Sequence, residues 1–254
     1  MVHDNDVISR SPKMHLPDPG LILENLKLLD LTNLRTINFK GGEPFLNSET
    51  LTILNYLDEQ SILQNVNIVI SSNGTYINDE ILEVLKKCKW INIHISLDGV
   101  DDLFNYIRYG DAKFTDIEPV VARLSELPNI LIYFQCSVMN YNAFNLIDIR
   151  NWVYNLSKKY NRIHDFAGFS NCVQSPNYLS IRTLSDDTRK NLVELYKTNM
   201  MANEFEQVIR TLENEYIGND VHNLWIDFTN LMEATRQNNI LNIVPALANE
   251  LQYK

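Results

Sequence analysis

The most constraining feature of this chain is residues 35–44, where a run of β-branched and aromatic side chains stops abruptly. The run ends in Gly41, Gly42, Glu43 and Pro44. β-Branched and aromatic residues favour a strand, and proline cannot continue one because it lacks an amide hydrogen. An apolar periodicity then predicts a helix from Ser48 to about Gln60. Because ligands of parallel sheets lie at the carboxyl ends of strands, the turn is either a binding site or an ordinary connection.

The same order of strand, polar turn and helix recurs along the chain. Strands are predicted at residues 35–40, 66–71, 90–96, 130–139 and 162–170, and helices at 21–31, 48–60, 79–85, 114–127 and 143–159. Strands that alternate with helices of this length indicate parallel βα units. With no antiparallel hairpin signal, the expected fold class is α/β, a partial (β/α) barrel of parallel strands.

Polar residues alternate with apolar ones in the predicted strands. In residues 91–98, isoleucine and leucine occupy one face, and the other face carries Asn92, His94, Ser96 and Asp98. Strands buried on both faces usually have continuous apolar sequences. We therefore expect the apolar face to meet the helices and the polar face to line a hydrated interior, the alternative being a sheet with one face in solvent.

The pattern changes after residue 170. A helix capped by Ser185 is predicted to reach Met201, and further helices are predicted at 204–216, 221–235 and 240–251. The expected domains are an irregular lead-in at 1–20, the partial barrel at 21–170 and a mostly α-helical C-terminal extension at 171–254.

Charge and hydropathy exclude some functions. The net charge of −10 opposes binding along a phosphate backbone, so we expect no nucleic-acid partner. No apolar run reaches the roughly 20 residues that span a bilayer, and residues 1–20 carry no apolar signal-peptide core. We therefore expect a cytoplasmic protein without a membrane partner. The three cysteines, Cys88, Cys136 and Cys172, are too widely spaced for a disulfide framework or a CxxC site.

Four strand-end motifs coincide in one order. They are Gly41-Gly42-Glu43-Pro44, Ser72-Asn73-Gly74-Thr75, Ser96-Leu97-Asp98-Gly99 with Arg108 after it, and Val138-Met139-Asn140. Together they resemble the radical S-adenosylmethionine (SAM) superfamily, especially members with a C-terminal twitch-type extension, over roughly residues 21–162. Residues 177–180 and 243–245 are similar to the C-terminal part of short twitch-type members.

The resemblance implies a binding site for SAM. Gly41, Gly42 and Glu43, with Pro44 completing the motif, would hold the methionyl ammonium of SAM. Ser96 and Asp98 would contact its ribose or carboxylate, and Arg108 would grip that carboxylate through its planar guanidinium. Asn73 and Asn140 would line the site near the nucleoside or the substrate. For Arg108 a solvated surface charge, and for His94 a hydrogen-bonding role, are the alternatives from sequence.

The family also implies a 4Fe-4S cluster, and this part of the resemblance fails. Its members hold the cluster through three cysteines of a CxxxCxxC loop upstream of the glycine–glutamate turn, whereas the first cysteine of this sequence is Cys88. We expect no metal ligands in this chain and no SAM cleavage by the chain alone. Three explanations stand: a fragment of a longer enzyme, a loop supplied by a partner chain, or a degenerate homologue.

Three functions therefore remain open. In complete form the domain would cleave SAM to a 5′-deoxyadenosyl radical that takes hydrogen from a substrate, a peptide or a small molecule, which the sequence does not identify. Alternatively, it is a non-catalytic module that binds SAM or a peptide. A third, less favoured reading is an unrelated barrel enzyme that uses Glu43, His94 and Asp98 in acid–base or metal chemistry.

Overall fold

A parallel β-sheet forms the centre of the fold. The computed structural model describes residues 20–251, except residues 165 and 167, so most of the predicted lead-in lies outside the described residues. The strands pair side by side in chain order: β1 (Thr36–Phe39), β2 (Asn67–Ser72), β3 (Trp90–Ser96) and β4 (Ile130–Gln135). The expected α/β class with parallel strands is confirmed.

One helix precedes β1, and four helices connect the successive strands of the sheet. They are α1 (Leu21–Lys27), α2 (Ser48–Glu59), α3 (Asp79–Leu85), α4 (Asp101–Ile107) and α5 (Ile117–Ser125), with 3-10 turns at Leu63–Asn65 and Phe114–Asp116. Two begin at asparagine caps, because Asn47 accepts a hydrogen bond from the Glu49 amide and Asn78 accepts one from the Ile81 amide. These caps fix where the chain leaves each strand-end turn.

The two faces of the sheet differ as the alternation predicts. On one face Ile68, Ile91, Ile93 and Ile132 have no exposed area, because the connecting helices cover them. On the other face Asn92, His94 and Ser96 are only partly buried, and Asn38 is exposed. The polar face is thus reachable by solvent and by ligands.

The predicted fifth strand at 162–170 differs from the structure. Within its described residues, one parallel bridge joins Ile163 to Ile132. The chain pairs again only further on, where β5 (Ser137–Val138) meets β6 (Asn171–Cys172) in a separate two-stranded sheet. The glycine at position 168 has a φ of +97°, and a Cβ there would lie 2.7 Å from the Glu204 carbonyl oxygen. An extended strand is therefore incompatible with the close packing at this point.

Helices dominate the chain after β5. They are α6 (Leu146–Lys159), α7 (Asp186–Thr198), α8 (Glu206–Glu213), α9 (Asn219–Arg236) and α10 (Ile240–Ile243), with 3-10 turns at Asn177–Leu179, Ile181–Thr183, Ala202–Phe205 and Pro245–Asn249. The Glu250 carboxylate accepts hydrogen bonds from the Ser185 amide (2.8 Å) and hydroxyl (2.7 Å), which ties the end of the chain to the start of α7. The expected α-helical extension is confirmed, whereas the domain boundaries stay a prediction.

Hydrogen bonds join α9 to the first part of the chain. The Tyr141 hydroxyl, in the loop after β5, lies 2.6 Å from the Thr229 hydroxyl, and the Arg236 guanidinium donates to the Tyr106 carbonyl in α4 at 2.9 Å. Burial raises the pKa of Tyr141 to about 12. These two bonds hold α9 against α4 and the loop after β5.

Within the described residues 20–251, no helix has both the length and the apolar character to cross a bilayer.

Candidate functional site

Glu43 connects the ends of the first two strands. One of its carboxylate oxygens accepts hydrogen bonds from the Ser72 hydroxyl (2.6 Å) and the Phe45 amide (3.3 Å), and the other accepts from the Asn73 amide (2.7 Å). We call Glu43, Ser72 and Asn73 the first strand-end cluster. It brings together two turns that the sequence could only place in separate motifs.

The glycines before Glu43 leave this cluster open. Gly41 and Gly42 have φ angles of +93° and +57°, and, apart from the adjoining residues, no atom of the described residues lies within 4 Å of the position that a Cβ would take at either glycine. Pro44 is buried beneath the turn. Glycine is needed here for its left-handed backbone, and the space around it is available to a ligand.

Asn73 shapes its own turn instead of pointing freely into solvent. Its side-chain oxygen accepts from the amide (3.0 Å) and hydroxyl (2.8 Å) of Thr75. The next residue, Gly74, has a φ of +70°, and a Cβ there would lie 2.6 Å from a side-chain carbon of Ile95. The turn therefore packs tightly against β3, and the Asn73 amide group retains its two N–H donors for other contacts.

Asp98 and Arg108 form an ion pair at the end of β3. The Arg108 guanidinium contacts one carboxylate oxygen of Asp98 through Nε (3.0 Å) and Nη2 (2.7 Å). The other oxygen accepts from the Ser137 amide at 2.7 Å. The Asp98 side chain is 7% exposed and that of Arg108 is 29% exposed. This pair joins the end of β3 to the start of β5.

Asn142, which sequence reasoning missed, completes this arrangement. The fully buried amide donates to the backbone carbonyls of Asp98 and Ser137, both at 2.9 Å, and its oxygen accepts from the Met139 amide at 2.8 Å. We call Asp98, Arg108, Ser137 and Asn142 the second strand-end cluster. The sequence did not single out Asn142, because Asn140 and Asn142 lie in the same loop and nothing in the pattern distinguishes one asparagine from the other.

The Asn140 side chain forms no described hydrogen bond with the carboxylate of either cluster. Its amide donates to the Tyr178 carbonyl (2.8 Å) and the Thr183 hydroxyl (3.0 Å), which belong to the C-terminal part. Its side-chain oxygen is buried and has no hydrogen bond among the described residues. The nitrogen of Asn140 thus holds the helical part in place, and its predicted contact with a ligand stays a prediction.

Ser96 lies on the polar face beside a stack of aromatic rings. His94 stacks on Tyr133 with ring centroids 5.0 Å apart, and Tyr133 stacks on His164 at 4.9 Å. Burial, and secondarily the charge of Lys40, lower the pKa of His94. The sequence placed His94 on this face, but the ring stack could not be predicted without the strand register, in which His94 pairs with Tyr133.

The three cysteines do not suit an iron–sulfur cluster. Cys88, Cys136 and Cys172 are all buried free thiols. Burial raises the pKa of Cys88 to about 12 and raises those of Cys136 and Cys172, whereas cluster ligands must be thiolates. Across the described part of the chain, no group of three or more His, Cys, Asp or Glu residues is arranged to hold a metal. The implied 4Fe-4S cluster therefore does not fit these residues.

The two clusters lie on one edge of the sheet. The first spans the carboxyl ends of β1 and β2 and the second those of β3 and β4, and β2 pairs directly with β3. Neighbouring strands are separated by about 4.8 Å, so ligand groups a few ångströms apart can reach both. Among the described contacts, no hydrogen bond connects one cluster to the other.

Three comparisons relate the chain to known proteins. Residues 4–134 match the model of the radical SAM superfamily. A segment of 75 residues is 37% identical to the uncharacterized protein MJ0907 of Methanocaldococcus jannaschii, covering 29% of this chain and 26% of that protein. Two crystal structures of SuiB from Streptococcus suis are similar over 66% of this chain. The structure of SuiB bound to S-adenosylmethionine has a TM-score of 0.43 and 16% identity, with 36% of SuiB covered, and a second structure of SuiB has a TM-score of 0.45 and 19% identity, with 37% covered.

The chain thus spans well under half of the length of the proteins that it matches. The family model, by contrast, covers more than half of the chain and includes the first strand-end cluster and the Asp98–Arg108 pair. This protein belongs to the radical SAM superfamily.

Proposed function

We propose that this protein binds SAM at the carboxyl edge of its sheet. The proposed contacts come from the two strand-end clusters and the residues around them: Gly41, Gly42, Glu43, Pro44, Asn73, Ser96, Asp98, Arg108 and Asn140. The observation that carries the proposal is the hydrogen-bonded link from Glu43 to Ser72 and Asn73 inside the region that matches the family. It makes a carboxylate, an open glycine turn and a second polar turn into one surface.

The charge of Glu43 suits the ammonium group of SAM. A carboxylate offers about four acceptor positions, and the three described hydrogen bonds leave about one of them for a ligand. A charge-assisted hydrogen bond is about twice as strong as a neutral one. The open space at Gly41 and Gly42 lets the ammonium approach along the backbone.

Arg108 suits the carboxylate of SAM. Its contacts to Asp98 use Nε and Nη2, and no hydrogen bond to Nη1 is found among the described residues. The pairing with Asp98 holds the guanidinium in one orientation, so the remaining donors are preorganised for a planar anion. In this assignment Asp98 acts on SAM mainly by positioning Arg108, and Ser96 contributes a partly exposed hydroxyl at the end of β3.

For this chain we propose the binding of SAM and not its cleavage. The family's reductive cleavage of SAM needs a cluster held by thiolates, and the three cysteines of this sequence are buried thiols with raised pKa values. Cleavage, and hydrogen abstraction from a peptide or small-molecule substrate, would therefore need cluster ligands from a longer protein or a partner chain. A cytoplasmic location stays a prediction.

Equilibrium dialysis with labelled SAM tests the binding proposal. Glu43→Gln keeps the shape of the side chain and removes its charge, so we expect about tenfold weaker binding, or about 1.4 kcal/mol. Glu59→Gln, an exposed change at the end of α2, should leave the affinity within about twofold of the wild type. Absence of saturable binding, or equal affinity of Glu43→Gln and wild type, would contradict the proposal.

The buried cysteines favour a second candidate function, a SAM-binding module that does no redox chemistry. Anaerobic reconstitution with iron and sulfide tests this candidate. We expect the isolated chain to retain neither element and still to gain about 2.7 kcal/mol of stability at a SAM concentration 100 times the dissociation constant. Retention of iron and labile sulfide in stoichiometric amounts would exclude the module and overturn our interpretation of the cysteines.

A further inference from the structure

A small cavity opens beside the ring stack on the polar face. Its volume is about 290 Å³, and its walls include His94, Tyr133, Gln135, Gly168, Ser170 and Asn171. Ligand pockets for small molecules measure roughly 300–1,000 Å³, so this cavity has room for one ring or one short side chain. The proposed SAM contacts include none of these wall residues.

The walls of the cavity offer neutral hydrogen-bonding groups. Gln135 and Asn171 carry amides, Ser170 carries a hydroxyl, and the described lining residues include no acidic or basic side chain other than His94. The lowered pKa of His94 keeps its imidazole uncharged near neutral pH. Among the described lining residues, a charged ligand group would lose its hydration without contacting an opposite charge, since Lys40, whose charge acts on His94, lies outside the lining.

The ring stack gives this cavity a rigid side. Both faces of Tyr133 are covered, one by His94 and one by His164, with interplanar angles of 11° and 26°. Tyr133 can therefore meet a ligand only through its ring edge and its hydroxyl. Ring edges favour in-plane or edge-to-face contact with another flat group.

The cavity adjoins the site that we propose for SAM. Gln135 is the register partner of Ser96 in the neighbouring strand. On the other side, Asn171 donates to the Ser137 hydroxyl at 3.2 Å, and the Ser137 amide donates to Asp98. A group in the cavity would thus lie within one strand spacing of the second strand-end cluster.

We propose that this cavity binds an uncharged, flat group that carries both hydrogen-bond donors and acceptors, such as a phenol or a carboxamide, of a second ligand beside SAM. The identification of that ligand as a reaction partner rests on the proposed function. The occupancy of the cavity itself does not, because it follows from the lining and the ring stack alone.

Histidine side-chain NMR tests this proposal with N-acetyl-L-tyrosinamide as the probe. The His94 and His164 signals, assigned through His94→Gln and His164→Gln, should shift saturably with a dissociation constant in the millimolar range. N-acetyl-L-glutamate, which carries charge and no ring, should leave both signals unchanged. The absence of a saturable shift up to about 10 mM tyrosinamide would overturn the proposal. It would mean a binding free energy weaker than about −3 kcal/mol.

Two tryptophan variants and SAM complete the test. Ser170→Trp should fill the cavity and weaken the probe at least tenfold, whereas Thr52→Trp, at an exposed hydroxyl residue on α2, should not change its affinity. Equal probe affinity in both variants would contradict a cavity site. Displacement of the probe by SAM would assign the cavity to SAM and overturn the second ligand while supporting the proposed function. Probe binding without any SAM binding would support the cavity site and overturn the proposed function.

Discussion

The two strand-end clusters contain similar residues but differ in exposure and in how many of their hydrogen-bonding positions are already occupied. In the first, Glu43 is partly exposed and lies beside two glycines with open space around them. In the second, Asp98 is 5% exposed and both of its oxygens are bonded within the protein. Similar carboxylates at neighbouring strand ends therefore differ in what they can still bind. The comparison indicates that the first cluster keeps an acceptor and open space that a ligand could use, whereas the carboxylate of the second cluster is fully engaged in holding the fold.

The sharpest test of this difference removes the centre of the second cluster. Asn142→Ala deletes a buried amide and leaves the carbonyls of Asp98 and Ser137 without their donor. We expect the free energy of unfolding to fall by about 3 kcal/mol, because each buried unsatisfied group costs about 1–3 kcal/mol. Urea unfolding measures it, with the exposed Asn155→Ala as the control, expected within about 0.5 kcal/mol of wild type. A loss under about 1 kcal/mol would show that the cluster is not a structural centre.

The next test neutralises the carboxylate of the same cluster. Asp98→Asn retains the size of the side chain but leaves the 29% exposed Arg108 side chain without its charge partner. A loss of about 2 kcal/mol in unfolding free energy is expected, less than for a fully buried ion pair because the arginine can still reach water. Chemical denaturation gives the value. If Asp98→Asn proved as stable as wild type, the ion pair would have no structural weight.

The first cluster should contribute less to the free energy of unfolding than the second cluster. Glu43→Gln, Ser72→Ala and the double variant form a double-mutant cycle across the 2.6 Å hydrogen bond. We expect a coupling free energy of about 1 kcal/mol, since Glu43 is partly exposed and hydrated in both states. A coupling above about 3 kcal/mol would make this cluster as structural as the second one and would erase the difference between them.

The smallest effect concerns the pH dependence of the polar face. The pKa of His94 is lowered in the folded state, so the unfolded state binds more protons at mildly acidic pH. The stability contributed by neutral His94 is present above its unfolded pKa of about 6.5 and is lost as the pH falls below it. Between pH 7.5 and 5.5, wild type should therefore lose more stability than His94→Gln. Tyr133 and Lys40 also face this ring, whereas His164 lies on the other side of Tyr133, and equal slopes would contradict the role of burial.

Local sequence predicted most of the sheet because its signals act over few residues. β2, β3 and β4 begin within two residues of their predicted starts, and the Ser185 cap begins α7 as expected. The fifth strand failed for a nonlocal reason. The close contact of Gly168 with Glu204 depends on a helical turn more than thirty residues later in the chain.

The sequence alone determined which side chains share a face of a strand and which turns need glycine, because both follow from the geometry of a few consecutive residues. It also determined the absence of three closely spaced cysteines within these 254 residues. Only the tertiary structure decided that Glu43 bonds to Ser72, that Asn142 instead of Asn140 bonds to the Asp98 backbone, and that His94 stacks on Tyr133. These contacts join residues distant in sequence, and strand register and chain packing set them.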